Sequence, residues 1–436
     1  MREKQRVLLF AAKLGYQTRS FEEAAQKLGV ELVYVTDRCH ELDDPWGDGA
    51  VAVQFEAAEA AAQTVMEKFR AGRVDGILAV GDRPTIAAAY AARGLGVAYN
   101  HPASVQACRS KLRTREIFRE AGLRTPWFVG VAVNPPAEPA LMGISYPCVL
   151  KPMSLSASQG VIRANSREEF AEAAERIRQL LGLPEIRAKK EENLSQLIVE
   201  EYIPGREVAV EGLSTEGRLQ VLAIFDKPDA LEGPYFEETI YVTPSRLSGE
   251  VQREIVRCAG AAVGALGLTH GPIHAEFRIN GEGVWPLEVA PRPIGGMCAR
   301  ALQFVSERCG GTIGLEELLL RHALGEMKEI PPREARASAA MMIPVPKSGM
   351  LEQVVGEEQA RRTKGVTELF ITARVKDTIT AWPEGSSYLG FLFAKGETPE
   401  EAETTVRAAH GKLRFTITPQ LPVEHPVTGQ FHKAGS

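Results

Sequence analysis

The sequence predicts a protein of mixed α/β and α+β class with several domains, and three observations support this prediction. The first hundred residues alternate apolar runs with amphipathic segments, which is typical of a parallel sheet flanked by helices. The middle of the chain is rich in strand patterns of antiparallel character. The length of 436 residues suits roughly three domains at about 150 residues each.

The amino-terminal region, residues 1–110, predicts a Rossmann-like α/β domain. Its alternating strand and helix patterns lie at residues 7–12, 21–28, 32–35, 76–80 and 84–93. Ser20 and Glu23 form a capping box at the start of the first helix. No Gly-x-Gly-x-x-Gly follows the first strand, so the sequence lacks the fingerprint of dinucleotide binding.

Three further regions follow along the chain, with predicted boundaries at 111–205, 206–335 and 336–436. A helix pattern over residues 111–121 opens the first of them. Strand patterns lie at residues 148–151, 197–203, 207–213, 219–226, 273–279 and 284–289. Two helices have clear start signals, Ser166 with Glu169 and Thr398 with Glu401. The final region is therefore predicted to be a small α+β subdomain.

The composition indicates a globular protein whose partners are small molecules. Hydrophobic residues make up 44% and charged residues 25%, and the formal net charge of −5 provides no basic field for nucleic acid. The six cysteines form no Cys-x-x-Cys pair, which favours reduced thiols in the cytoplasm. No apolar stretch of about 18 residues occurs, so we expect no membrane-spanning segment.

Two alternating runs around Gly-Glu-Gly predict a β-hairpin. If residues 281–283 form a three-residue loop, Glu276 lies directly opposite Glu288, with Cβ atoms about 5 Å apart. Such carboxylates repel each other, and oxygen ligands of this kind suit a hard cation such as Mg²⁺. The alternative is a register slipped by one residue, which leaves both glutamates as solvated strand residues.

A strand that ends in an acidic turn, Glu200-Glu201-Tyr202-Ile203, precedes Glu207. Free backbone groups at such an edge suit the hydrogen-bonding edge of an adenine, and a carboxylate suits ribose hydroxyls. Because side chains alternate along a strand, Glu200 and Glu201 are predicted to lie on opposite faces. The alternative is a solvated acidic hairpin.

Lys151 ends another predicted strand and is followed by a Ser-rich loop at residues 154–160. Small residues let backbone N–H groups approach phosphate oxygens, and the lysine adds a positive charge. The alternative is a Ser-rich turn between two ordinary strands, which would show the same pattern of residues.

In this order, these elements resemble the ATP-grasp fold over about residues 110–324. In that fold ATP lies between two α+β lobes, so the resemblance makes 111–205 the central lid lobe and 206–335 the carboxy-terminal lobe with the metal and substrate site. Position 290 departs from the pattern, because many members continue Glu-x-Asn after the second metal glutamate and this chain has Ala290. The third metal-side ligand is therefore left open.

The resemblance also assigns roles to single residues. It implies ATP phosphate contacts by Lys111 and Lys151 and by the lid loop that contains Ser156, Ser158 and Gly160. It implies adenine contacts by Glu200 and by the backbone of Glu201, Tyr202 and Ile203, and a ribose contact by Glu207. It implies that Glu276 and Glu288 hold Mg²⁺, with Mn²⁺ as the alternative.

A narrower resemblance points to the L-amino acid ligases, which join free amino acids into dipeptides. It rests on residues 288–296, on Asp226-Lys227-Pro228, on residues 236–241 and on the pattern of residues 348–418. It implies that Arg292 contacts the transferred phosphate and the reacting carboxylate, and it makes Arg292 and Lys151 the catalytic residues. It implies a substrate pocket with Lys227, Glu238, Tyr241, Gly295 and Gly296. Tyr241 stands where family members often have histidine, so the choice of substrate is expected to differ.

These resemblances imply a cytoplasmic, ADP-forming carboxylate–amine ligase that makes a dipeptide through an acyl phosphate. One alternative is an ATP-grasp ligase of purine biosynthesis or of the biotin-carboxylase type. Another is a non-catalytic nucleotide-binding protein. A homodimer, the identity and stereochemistry of the amino acids and the base that deprotonates the amine are left open.

Overall fold

The computed structural model describes residues 4–12, 16–37, 50–134, 143–153, 155–188, 193–307, 310–327, 329–419, 422–424 and 431–433. Among these residues, no helix is long and apolar enough to cross a membrane.

The amino-terminal region forms the predicted parallel sheet, with strand order β3-β2-β1-β4. Its strands are β1 (Arg6–Ala11), β2 (Glu31–Thr36), β3 (Ala50–Ala52) and β4 (Gly76–Val80). Its helices are α1 (Tyr16–Leu28), a 3₁₀ turn (Phe55–Ala57), α2 (Ala58–Lys68) and α3 (Thr85–Leu95). The capping box predicted at Ser20 is wrong, because α1 already begins at Tyr16 and places the buried Thr18 within the helix.

Two helices, α4 (Pro102–Arg109) and α5 (Lys111–Glu120), lead into a four-stranded antiparallel sheet of order β5-β8-β6-β7. Its strands are β5 (Phe128–Ala132), β6 (Cys148–Pro152), β7 (Ile162–Ala164) and β8 (Gln196–Glu201). Helices α6 (Arg167–Gly182) and α7 (Pro184–Arg187) follow β7 in the chain. The predicted cap of α6 is confirmed, because Ser166 Oγ accepts a hydrogen bond from the Glu169 N–H at 3.2 Å.

An eight-stranded antiparallel sheet of order β13-β12-β9-β10-β11-β16-β20-β18 forms the centre of the molecule. Its strands are β9 (Arg206–Thr215), β10 (Arg218–Asp226), β11 (Ile240–Thr243), β12 (Gly271–Asn280), β13 (Gly283–Ala290), β16 (Ala337–Ile343), β18 (Val366–Ile371) and β20 (Gly390–Gly396). The sheet continues across the boundary predicted between residues 335 and 336, and the domain limits themselves stay predictions.

Smaller elements complete the described chain. The strands are β14 (Gln303–Ser306), β15 (Gly311–Gly314), β17 (Gly349–Val355), β19 (Thr378–Ile379), β21 (Arg414–Thr418), β22 (Pro422–Glu424) and β23 (Phe431–Lys433). The helices are α8 (Gly249–Ala265), a 3₁₀ turn (Cys298–Ala301), α9 (Leu315–Ala323), α10 (Glu357–Arg361) and α11 (Pro399–His410). Thr398 caps α11 as predicted, because its hydroxyl accepts from the Glu401 N–H at 3.3 Å.

One apolar core joins the amino-terminal sheet to the eight-stranded sheet. Buried Leu9 of β1 belongs to the same cluster as Leu318 of α9, Phe225 of β10 and Phe391 of β20. Burial of side chains this large stabilises the fold by roughly 1.5–3 kcal/mol each. The cluster also contains Val80 at the end of β4 and Ile294 just after β13, so it holds the end of β4 near the segment that follows the hairpin, where the candidate site lies.

Candidate active site

The β12–β13 hairpin pairs Glu276 directly with Glu288, which confirms the predicted pairing. The predicted three-residue loop is wrong, because Asn280 pairs with Gly283 and only two residues form the turn. A β-bulge beside Glu276 shifts the register by one residue and restores the Glu276–Glu288 pair. The Asn280 side chain stabilises the tighter turn, since its Oδ1 accepts from the Glu282 N–H at 2.9 Å.

Three carboxylates surround one buried ammonium group near Glu276. Lys227 Nζ donates to Glu207 at 2.7 Å, to Glu276 at 3.0 Å and also to Glu238. The Lys227 side chain is only 3% exposed. Burial alone would lower the pKa of Lys227, but the three carboxylates raise it well above its ordinary value. Lys227 is therefore charged at neutral pH and neutralises part of the acidic cluster.

The glutamates of this cluster differ in their protonation. Burial raises the pKa of Glu238 to about 7, with Glu276 and Glu207 acting in the same direction against Lys227. Burial would also raise the pKa of Glu276, but Lys227 and the neighbouring His274 hold it well below its usual range. Near neutral pH, Glu276 is therefore ionised, whereas Glu238 takes up a proton more readily than an ordinary glutamate.

The carboxylates of this cluster are close enough together to share a divalent cation. One carboxylate oxygen from each of Glu207, Glu238 and Glu276 lies within 4.8 Å of the others, and oxygen ligands suit Mg²⁺. Glu288 adds a fourth carboxylate opposite Glu276. The donor chemistry fits a hard cation, with the Lys227 ammonium already providing positive charge beside it. The metal roles of Glu276 and Glu288 stay predictions.

Glu200 lies buried on β8, whereas Glu201 is exposed, which confirms that they lie on opposite faces. The Glu200 carboxylate accepts hydrogen bonds from Arg115 at 2.7 and 3.1 Å and also from Lys151. Burial would raise the pKa of Glu200, but Arg115 and Lys151 lower it to about 2. The carboxylate predicted at the adenine thus holds two cations in this structure, and Lys151 is one of them.

We expect Glu200→Gln to lower the free energy of unfolding by about 3 kcal/mol, since removing one partner leaves buried cations uncompensated. Glu201→Gln, on the exposed face, is the matched control and is expected to change it by less than about 0.5 kcal/mol. Denaturant unfolding of both variants provides the measurement. The folded-state pKa lies below the ordinary value of 4.5, so this stabilisation is present above that pH and is lost as pH falls towards 2. Equal stability of the Glu200→Gln and Glu201→Gln variants would contradict the role of Glu200 as the buried partner of two cations.

The backbone predicted at the adenine is paired within the protein. The N–H groups of Glu201 and Tyr202 donate to backbone carbonyl oxygens at 3.0 and 3.1 Å. Arg278 donates to the Ile203 carbonyl at 2.6 Å and to Glu207 at 2.9 Å. Arg278 therefore connects the turn to Glu207. The adenine and ribose contacts themselves stay predictions.

A cleft lies between the amino-terminal domain, the central lobe and the hairpin. It brings together three predicted site residues, Lys111, Ser156 and Glu288, and adds Asp82 to them. Lys111 Nζ donates to the Leu155 carbonyl at 2.7 Å. Burial lowers the pKa of Lys111, although the nearby Glu288 acts in the opposite direction. The cleft thus contains cationic and anionic side chains at close range.

The Ser-rich loop adopts an unusual backbone. Ser158 has φ +53° and Gly160 has φ +72°, both in the left-handed region. Ser156 is exposed within the loop and lines the cleft. Ser154, where the predicted loop begins, lies outside the described residues. The described loop residues therefore lie beside Lys111, and the predicted phosphate contact stays a prediction.

A turn of the terminal subdomain contacts this loop. The Gly160 N–H donates to the Pro383 carbonyl at 2.8 Å, and Trp382 Nε1 donates to the Ala157 carbonyl at 3.2 Å. Gly160 also has no room for a side chain, because a Cβ would lie 2.8 Å from Pro152. The loop is thus held between its own lobe and the last subdomain.

The predicted substrate residues lie just after β13 and around β11. Arg292 donates from Nε to Asp82 at 2.8 Å, and Tyr241 donates from its hydroxyl to Glu238 at 2.8 Å. Gly295 is exposed with open space around it. Gly296 has φ +62°, and a Cβ there would lie 2.8 Å from the Phe391 ring. The pocket roles of these residues stay predictions.

Sequence reasoning missed Arg115 and Asp82. Arg115 is four residues from Lys111 and so shares its helix face, which is a signal that could have found it. Asp82 follows the carboxyl end of the parallel strand β4, a position where ligands often bind in such sheets. Their partners, Glu200 and Arg292, are distant in the sequence, so the contacts themselves left no local pattern.

Comparison with known proteins agrees with this geometry. Residues 144–301 match the ATP-grasp domain family, and residues 341–418 match the L-amino acid ligase C-terminal domain 2. The crystal structure of the L-amino acid ligase from Bacillus licheniformis is 27% identical, covers 96% of this chain and 100% of that one, and has a TM-score of 0.79.

Alanine–anticapsin ligase from Bacillus subtilis (strain 168) is 27% identical over 199 residues, which are 43% of this chain and 40% of that protein. The chain spans less than two thirds of the length of the curated relatives it matches. Phosphoribosylglycinamide synthetase from Anaerococcus prevotii shares the fold at 16% identity and a TM-score of 0.65, covering 95% of this chain and 100% of that one. The predicted fold and resemblance are confirmed: the chain contains an ATP-grasp domain at residues 144–301 and a C-terminal domain of the L-amino acid ligase type at residues 341–418.

Proposed function

We propose that the protein is an ATP-dependent, ADP-forming ligase that joins two L-amino acids into a dipeptide. The observation that carries this proposal is the similarity to an L-amino acid ligase along 96% of the chain. The terminal domain supports it as well, because residues 341–418 match the C-terminal domain 2 of the L-amino acid ligases. The purine-biosynthesis structure is less similar in both sequence and fold.

The reaction proceeds in two displacements. A carboxylate oxygen of the first amino acid attacks the γ-phosphorus of ATP, so that ADP leaves and an acyl phosphate forms. The amine of the second amino acid then attacks the acyl carbon, inorganic phosphate leaves, and the nitrogen loses a proton. Catalysis of this kind depends on positioning and on charge stabilisation, and so it requires no nucleophilic side chain.

The chain's own residues serve these steps by charge and position. Lys111 and Lys151 bind the ATP phosphates, and Arg292 binds the transferred phosphoryl group and the reacting carboxylate. Glu276 and Glu288 hold Mg²⁺ or Mn²⁺, which when bound neutralises negative charge on the phosphate oxygens. The loop of residues 155–160 excludes water from the acyl phosphate.

The cellular compartment and the binding partners of the enzyme belong to the same proposal. We place the enzyme in the cytoplasm, because its six cysteines form no Cys-x-x-Cys pair. Free amino acids and ATP are its partners, and its net charge of −5 provides no overall basic field for nucleic acid. The non-catalytic alternative is less favoured, because nucleotide binding alone does not require Arg292 beside the paired glutamates. The amino acid pair and a homodimer stay open.

A product analysis tests the proposal. The protein is incubated with ATP, Mg²⁺ and mixed L-amino acids, and ADP release and product masses are measured against a reaction without amino acids. We expect amino-acid-dependent ADP and a product mass equal to two amino acids minus water. ADP release that depends on bicarbonate or formate would favour the carboxylase or purine alternatives. Nucleotide binding without turnover under all conditions would favour the non-catalytic one.

Nucleotide is expected to slow amide hydrogen exchange in residues 155–160, since a loop over the phosphates opens to admit ATP and closes to exclude water. Exchange is measured by mass spectrometry with and without ATP and Mg²⁺. Helix α8, which does not line the cleft, provides an internal control whose exchange should not change. Unchanged exchange in residues 155–160 at saturating nucleotide would count against a lid.

A further inference from the structure

The amino-terminal domain contributes one carboxylate to the cleft. Asp82 lies just beyond β4, and its side chain is 14% exposed. Its two oxygens accept from Arg292 Nε at 2.8 Å and from Nη2 at 3.5 Å, while Nη1 donates to the Pro293 carbonyl at 3.1 Å. The guanidinium plane is therefore oriented from two sides, with one further N–H on each Nη atom for other partners.

Asp82 is also the counter-ion of more than one cation. Burial would raise its pKa, but Arg292, Arg109 and Lys111 lower it to about 2. Asp82 is thus ionised at any working pH. Lys111 is assigned to the ATP phosphates and Arg292 to the transferred phosphoryl group, so a carboxylate lies among the cations that would receive negative charge.

We propose that Asp82 is a positioning residue of the ligase, which holds the Arg292 guanidinium in the orientation that the transferred phosphoryl group requires. This inference rests on the proposed function. It gives the amino-terminal domain a part in the chemistry, because the Asp82–Arg292 pair joins that domain to the loop after β13 across 210 residues of sequence.

Electrostatics supports a positioning role over a purely structural one. Without the Asp82 charge, Arg292, Arg109 and Lys111 would repel one another in a partly buried cleft. Arg292 would then lose its preferred orientation, whereas the positive charge available to nucleotide would increase. Catalytic turnover and ATP affinity are therefore expected to respond in different ways, which loss of folding would not produce.

The experiment compares Asp82→Asn with wild type in the full chain. We expect kcat to fall about 10- to 100-fold, the size of effect that misplacement of a reacting group produces, while the Kd for ATP stays equal or decreases. Asp82→Glu keeps the charge and should recover part of kcat. In combination with Arg292→Lys, Asp82→Asn should add little further loss, because both act on one interaction.

Asp37→Asn is the matched control. Asp37 is also 14% exposed and accepts from Arg83 at 2.8 Å at the same edge of the sheet, without contact to Arg292. We expect near-normal kcat in this variant. Normal kcat in Asp82→Asn, or equal losses of kcat and ATP affinity in both variants, would overturn the positioning role. Absence of amino-acid-dependent turnover in wild type would instead overturn the proposed function.

Discussion

Glu276→Gln and Glu288→Gln are each expected to reduce kcat by on the order of 10²-fold or more, because each removes a negative ligand from the proposed cation site. The two residues face each other across the hairpin, and Glu288 lines the cleft with Lys111. Both variants keep the size of the side chain, so the loss reports on charge. Steady-state kinetics over a range of Mg²⁺ concentrations provides the measurement, and a weakened dependence on Mg²⁺ is expected in both.

Glu282→Gln is the matched control for this pair. Glu282 belongs to the same hairpin but lies exposed at its turn, so its kinetics should stay close to those of wild type. If either Glu276→Gln or Glu288→Gln retained near-normal turnover, the metal assignment would be wrong.

Arg292→Lys should lower kcat by on the order of 10²-fold while ATP affinity stays nearly intact. Lysine keeps the positive charge but loses the planar fork that binds two oxygens at once, and this geometry matters most where charge accumulates during transfer. Kinetics and an independent measurement of ATP binding separate the two effects.

Arg246→Lys controls for the general cost of replacing an ion-paired arginine. Arg246 pairs with Asp226 at 3.1 Å and with Glu403 at 2.7 Å, and it does not line the cleft. We expect little change in its kcat. A mild effect of Arg292→Lys that matches this control would show that Arg292 is only a structural ion-pair partner.

The sequence was sufficient to predict the pairing of Glu276 with Glu288, although through the wrong turn. Alternation of apolar and polar residues indicates which positions share a face, and this pattern survives a shorter loop when a bulge compensates for it. The same reasoning separated Glu200 from Glu201 correctly. Local periodicity is therefore a reliable guide to faces, and a poorer guide to turns.

Contacts between distant segments could not be predicted in this way. Lys227 reaches carboxylates at positions 207, 238 and 276, which lie on or beside three different strands. Asp82 and Arg292 meet where the apolar core packs Val80, at the end of β4, in the same cluster as Ile294, which follows the hairpin. The start of α1 differed as well, since the helix begins at Tyr16, four residues before the capping signal at Ser20. Tertiary packing determines these features, and no local pattern encodes it.

The most direct test of an ADP-forming reaction through an acyl phosphate follows the carboxylate oxygen. The acid substrate is labelled with ¹⁸O in both carboxylate oxygens, and the products of a complete reaction are analysed by mass spectrometry. Because a carboxylate oxygen attacks the γ-phosphorus and leaves with it, we expect one ¹⁸O in inorganic phosphate and one in the new amide. Transfer of ¹⁸O to AMP, or unlabelled phosphate beside labelled product, would contradict the mechanism.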